Sequence, residues 1–179
     1  MESKPRLEVT ITGLGGQGAL LFGQLLSEAG VSKYKNVAYF PQYATIMRGG
    51  ESECTVTLSD EEIDSLLVYE PQAAVVMGAP KLKVYEKRVK SGGLMMVDSS
   101  VISEKVERKD IKVFYVPATK ISAALGDRPV ANLVFLGAYI EATKAVPPEI
   151  IEKVLEKKLK GGKEAMLLLN KKALQEGAR

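Results

Sequence analysis

Leu7-Glu8-Val9-Thr10-Ile11-Thr12 alternates apolar and polar residues and reads as a strand. Gly13-Leu14-Gly15-Gly16-Gln17-Gly18 follows at once as a glycine turn. Leu21, Phe22, Leu25, Leu26 and Ala29 then recur at helical spacing, closed by Gly30. Strand, glycine turn and helix in thirty residues are the opening of an α/β fold, and the rest of the chain continues the alternation.

Val37–Phe40 reads as a short second strand stopped by Pro41, and Gln42–Gly50 as a loop. Glu53–Ser59 places Cys54, Val56 and Leu58 on one face, the pattern of a strand with one covered side. Asp60-Glu61-Glu62 opens a polar turn or short helix. Ala73–Met77 is a continuous apolar run, as in a buried parallel strand. A helix over Lys81–Lys90, with Leu82, Tyr85 and Val89 inward, leads to a second buried strand at Leu94–Val97. Lys112–Val116 is a further strand. Helices are expected over Ala118–Leu125, Asn132–Thr143, Glu149–Leu159 and Glu164–Gln175.

This order predicts an α/β protein: a three-layer α/β/α sandwich with a mainly parallel, Rossmann-like central sheet, in one domain over residues 1–179. The Glu53–Ser59 strand has no room for a helix before it and is expected to pair antiparallel.

Composition narrows the function. The chain has 179 residues, 46% hydrophobic and 26% charged, which suits a packed core. Its 25 basic and 22 acidic residues are interspersed, so no basic stripe points to nucleic acid. The apolar runs, such as Leu133–Leu136, fall far short of the roughly 20 residues of a membrane span. Met1–Arg6 is short and polar, without signal-peptide character, and a cytoplasmic protein is expected. Histidine is absent and Cys54 is the single cysteine. The chain therefore lacks an imidazole base, and one thiol cannot ligate an iron–sulfur cluster alone. A binding role or a shared active site is favoured over self-contained catalysis.

Three segments are candidates for that role. In the first, glycines allow a tight turn and close approach of a ligand, and the following helix N-terminus offers N–H groups to a phosphate. A nicotinamide dinucleotide fits less well, because Val37–Gln42 carries no carboxylate for the ribose. In the second, Arg48-Gly49-Gly50 suits an anion site or a close subunit contact, or is a turn with Arg48 solvated. In the third, Arg128 and Asn132 stand at i and i+4 around a helix start. They either face one ligand, or Asn132 caps the helix while Arg128 is a surface charge. Asp98-Ser99-Ser100 lies past a buried strand, and without histidine its serines read as turn caps rather than nucleophiles.

Gly13–Gly18 after the first strand, Arg48-Gly49-Gly50, Val56–Asp64, Gly126–Leu136 and Asn170–Gly177 together resemble the gamma subunit of 2-oxoacid:ferredoxin oxidoreductases. The resemblance implies a subunit of a complex that oxidatively decarboxylates a 2-oxoacid to its acyl-coenzyme A and passes electrons to ferredoxin. It implies thiamine diphosphate and iron–sulfur clusters on partner chains of alpha, beta and delta type. It places coenzyme A or the partner subunits near Gly13, Gly15, Gly16, Gln17, Gly18, Arg48, Gly49, Gly50, Arg128 and Asn132. Leu14, apolar where pyruvate relatives often carry Arg, leans toward the 2-oxoglutarate branch. Ala44-Thr45-Ile46 departs from the Gly-Pro-Glu of many relatives and removes a carboxylate. The alternative reading is a free-standing nucleotide-binding module with a regulatory or assembly role.

Overall fold

The computed structural model describes residues 6–43, 50–126, 129–159 and 164–179. Among these, six strands form one sheet: β1 (Leu7–Leu14), β2 (Asn36–Tyr43), β3 (Glu51–Ser59), β4 (Ala73–Val76), β5 (Leu94–Asp98) and β6 (Lys112–Val116). Their order across the sheet is β2-β3-β1-β4-β5-β6. The β1–β4, β4–β5 and β5–β6 pairs are parallel, while β3 runs antiparallel to both β1 and β2. The mainly parallel sheet and the reversed third strand are thus as expected. The described helices are α1 (Ala19–Gly30), α2 (Leu82–Arg88), α3 (Ala118–Leu125), α4 (Ala131–Thr143), α5 (Pro148–Lys158) and α6 (Glu164–Gly177). Among the described residues, no helix is long and apolar enough to cross a membrane.

The two outer layers are unequal. On one face, Val9, Ile11, Cys54, Val56, Leu58, Val75 and Met96 share a core with residues of α1, α3, α4, α5 and α6. Phe22 of α1 meets Tyr139 of α4 edge to face, with ring centroids 5.9 Å apart. On the other face, Ala74, Val76, Met95 and Val97 pack under α2 and under Ile102, Val106 and Ile111 of an irregular segment. Glu86 of α2, itself buried, anchors that segment by accepting the backbone N–H groups of Glu107 and Arg108.

Two expectations are corrected. β2 does not stop at Pro41 but runs to Tyr43, because it is an edge strand and the missing proline N–H interrupts no outer ladder. β3 is covered on both sides from Cys54 to Ser59. Its second face is polar yet buried, because Thr55 faces Thr10 with the two hydroxyls 3.1 Å apart and Ser59 Oγ accepts the Glu61 N–H. Gly30 closes α1 as its last residue, as expected. A Cβ there would collide with Leu58 of β3, so the glycine serves helix–sheet packing.

Candidate functional site

The site is built at the carboxyl ends of β1 and β4, where an open α/β sheet leaves backbone groups unpaired. β1 delivers the chain into the glycine turn, and Gln17 stitches the turn together. Its Oε1 accepts the Leu14 N–H at 2.6 Å, and its Nε2 donates to the Met77 carbonyl at 3.2 Å. The Gln17 N–H closes the turn on the Leu14 carbonyl at 3.1 Å. Both ends of the Gln17 amide are thereby spent inside the protein. Gly13 leaves room for this amide, since a Cβ there would stand 2.7 Å from Gln17 Oε1.

Gly15 donates its N–H to the Gly50 carbonyl at 2.8 Å, which ties the turn to the segment entering β3. Gly16 and Gly18 both have positive φ, 94° and 82°, a conformation that glycine adopts without strain. Their surroundings differ. Around a Cβ placed on Gly16 no heavy atom lies within 4 Å, so this peptide is open to a ligand. Gly18 is closed by Asn132, whose Nδ2 donates to the Gly18 carbonyl at 3.2 Å.

Asn132 does not cap α4. The N-cap position is Val130, without a side-chain bond, and Asn132 lies within the first turn with its amide directed across to the glycine turn. Ser122 of α3 fixes this approach by accepting the Val130 N–H at 2.8 Å. α1 starts at Gly18 with no side-chain cap and no acidic residue in its first turn, which leaves its N-terminal amides available to an anion. Cys54 lies beneath that turn and donates to the Ala19 carbonyl at 3.3 Å. Burial pushes its thiol up to about 12, so it stays protonated at neutral pH.

Gly13, Gly15, Gly16, Gln17, Gly18, Gly50 and Asn132 are therefore brought to one place. Arg48, Gly49 and Arg128 lie outside the described residues, as do Ala44, Thr45 and Ile46. Asp98 and Ser100 act as caps. Asp98 accepts the Thr119 hydroxyl at 2.6 Å and the Ser100 N–H at 3.0 Å, and Ser100 Oγ accepts the Lys120 N–H.

Two charged residues at this edge were given no role by the motifs, although Glu51 lies within the Arg48–Ser52 segment. Glu51 stands opposite Leu14 in the β3–β1 register, and Lys81, three residues past Gly78, reaches it at 2.8 Å. The end of β2 is also not the position from which a carboxylate would reach a ribose at the glycine turn. β3 intervenes, so β2 lies two strand spacings, roughly 9–10 Å, from β1. The residue types do not fit an iron–sulfur cluster, because Cys54 is the single thiol and is committed to Ala19. They do fit an anionic ligand with phosphate groups, which an open glycine peptide and an uncapped helix start can take.

A protein-family model described as pyruvate ferredoxin/flavodoxin oxidoreductase matches residues 8–179. The chain is 34% identical over 169 residues to 2-oxoglutarate synthase subunit KorC of Methanocaldococcus jannaschii, covering 92% of this chain and 90% of that one. In fold it is similar to the keto/oxoacid ferredoxin oxidoreductase gamma subunit from Geobacter sulfurreducens PCA, with a TM-score of 0.83 at 29% identity, covering 98% and 95% of the two chains. It also shares the fold of a 2-oxoglutarate:ferredoxin oxidoreductase from Magnetococcus marinus solved with 2-oxoglutarate, coenzyme A and succinyl-CoA bound. There the TM-score is 0.88 at 20% identity, covering 97% of this chain and 30% of that longer one.

Proposed function

This chain belongs to the pyruvate ferredoxin/flavodoxin oxidoreductase family, and from that premise we propose that it is the gamma-type subunit of a cytoplasmic 2-oxoacid:ferredoxin oxidoreductase and helps to hold coenzyme A. Its partners are alpha-, beta- and delta-type chains that carry thiamine diphosphate and the iron–sulfur clusters and pass electrons to ferredoxin. The favoured oxoacid is 2-oxoglutarate, supported by the name of the KorC relative and by the apolar Leu14.

The observation that carries the reading is the contrast within the turn. Gln17 and Asn132 hold it rigidly from behind, while the Gly16 peptide and the first turn of α1 stay open in front. Coenzyme A, when bound, would supply the thiol that takes up the acyl group left after decarboxylation and a two-electron oxidation, the electrons passing to the iron–sulfur clusters of the partner chains. This chain's share is positional: the α1 N-terminus and the Gly16 backbone receive a phosphate. The pre-formed turn lowers the ordering cost of binding. Arg48 and Arg128 are proposed as further phosphate contacts on the family resemblance.

The test is co-expression with the chains encoded beside it. A complex containing thiamine and iron is expected, with turnover of 2-oxoglutarate that requires this chain and coenzyme A. In that complex Arg128→Ala should raise the KM for coenzyme A about tenfold or more and leave the KM for the oxoacid unchanged. Migration of the chain alone, together with an unchanged KM for coenzyme A in a complex lacking it, would overturn the reading.

A further inference from the structure

The ion pair between Glu51 and Lys81 sits at the glycine turn without an evident structural duty. Glu51 is the first residue of β3, and it follows Gly50, the residue to which Gly15 is bonded. Lys81 closes the short 3-10 turn Ala79–Lys81 that begins where β4 ends. Gly78 packs directly on the turn, since a Cβ there would lie 3.5 Å from both Gln17 Oε1 and Leu14 Cγ. Lys81 therefore reaches past the end of β1 to meet a carboxylate in register with Leu14.

This pair contributes little to holding the fold. Its side chains are 29% and 41% exposed, and pairs so open to water have small net stability. α2 is anchored independently through Leu82, Tyr85 and Val89 in the core and Glu86 against the segment it caps. What the pair does is park a cation within one residue of the bond that docks the glycine turn.

A coenzyme A molecule carries a diphosphate and a separate ribose phosphate, and one helix N-terminus serves one such group. We infer that Lys81 is a further coenzyme A contact: its ammonium takes phosphate oxygens of the ligand that the α1 N-terminus does not reach, and Glu51, which pairs with that ammonium, competes for it. The inference rests on the proposed coenzyme A role of this turn and adds to it a residue pair that tunes affinity.

The experiment measures coenzyme A binding and KM with the full chain in the assembly that co-purifies with it. Lys81→Ala should weaken coenzyme A about tenfold, with kcat and the KM for the oxoacid unchanged, and Lys81→Arg should restore most of the loss. Glu51→Gln should tighten coenzyme A about threefold, because the competing charge is gone. Thermal melts of all three should match the unaltered protein. Repetition with 3′-dephospho-coenzyme A identifies the phosphate: an effect that vanishes assigns Lys81 to the ribose phosphate, and one that persists assigns it to the diphosphate. Equal coenzyme A affinity for Lys81→Ala and the unaltered protein would overturn the inference and leave the proposed function standing. Weaker binding by Glu51→Gln would overturn the competition. Failure of the unaltered protein to bind coenzyme A at all would remove both.

Discussion

The Asn132 side-chain amide holds Gly18 from across the molecule, donating to its carbonyl at 3.2 Å over a separation of 114 residues. A Cβ on Gly18 would stand 2.5 Å from the same nitrogen, so the glycine and the asparagine are two halves of one contact. This couples the start of α4 to the start of α1 and keeps the turn formed before any ligand arrives.

Gly18→Ala should therefore cost more stability than Gly16→Ala. Both residues have positive φ, where a Cβ costs roughly 1–2 kcal/mol. Only Gly18 must also displace Asn132. Adding Asn132→Ala to Gly18→Ala should narrow the gap. Denaturant midpoints of the four chains check this, and equal midpoints for the two glycine variants would contradict it.

Gly23 lies mid-helix in α1, where alanine is intrinsically better by about 0.5–1 kcal/mol. Here the substitution should destabilise, because the new Cβ would lie 2.5 Å from Cys54 Sγ and 2.8 Å from a Tyr39 ring carbon. Overpacking of this kind costs about 1–3 kcal/mol. Cys54→Ala in the same chain should return part of that loss, as a double-mutant cycle would register.

The Cys54 thiol should be inert to a thiol-specific reagent in the folded chain near pH 8 and react once per chain in denaturant. Burial raises it from an ordinary 9.0 to about 12. The folded state thus keeps the proton that the unfolded state gives up. The stability linked to Cys54 is complete below about 9 and declines as the pH climbs toward 12. Cys54→Ser should shift the alkaline unfolding limb measured by circular dichroism.

Glu86→Gln should loosen the segment around Glu107 and Arg108 from α2. Burial opposes the Glu86 charge. The backbone N–H groups of Glu107 and Arg108, with the Lys83 ammonium at 3.0 Å, outweigh it and hold the carboxyl below its ordinary range. The stability that it contributes is present above about 4.5 and is lost as the pH falls through the lowered value. A loss of about 1–3 kcal/mol is expected for the variant at neutral pH. Hydrogen exchange at residues 104–108 should rise before exchange in β4 or β5.

Local pattern carried much of this protein. Two-residue alternation in Leu7–Thr12, the apolar run at Ala73–Met77 and the helical spacing after Gly18 each report on neighbours within a few residues, and those elements stand where they were expected. The glycine turn was legible for the same reason. The absence of histidine and the single cysteine favoured a binding role or a shared active site over self-contained catalysis. The family resemblance rested on these motifs and agrees with the match over residues 8–179.

Tertiary structure decided what depends on partners far along the chain. That β3 inserts between β1 and β2, that Pro41 can sit in an edge strand, and that Thr10 and Thr55 bury each other's hydroxyls all follow from strand order, which no local period encodes. Gly30 ends α1, a place where glycine commonly serves through backbone freedom. Only the nearness of Leu58 reveals that space, not backbone freedom, is what the position needs. Asn132 and Lys81 are polar residues near helix starts, and nothing in their own neighbourhood tells a cap or a solvated charge from a contact with the turn. Each was assigned by a partner elsewhere in the fold, Gly18 for one and Glu51 for the other, because a side chain's role is set by what packing brings within about 3 Å of it.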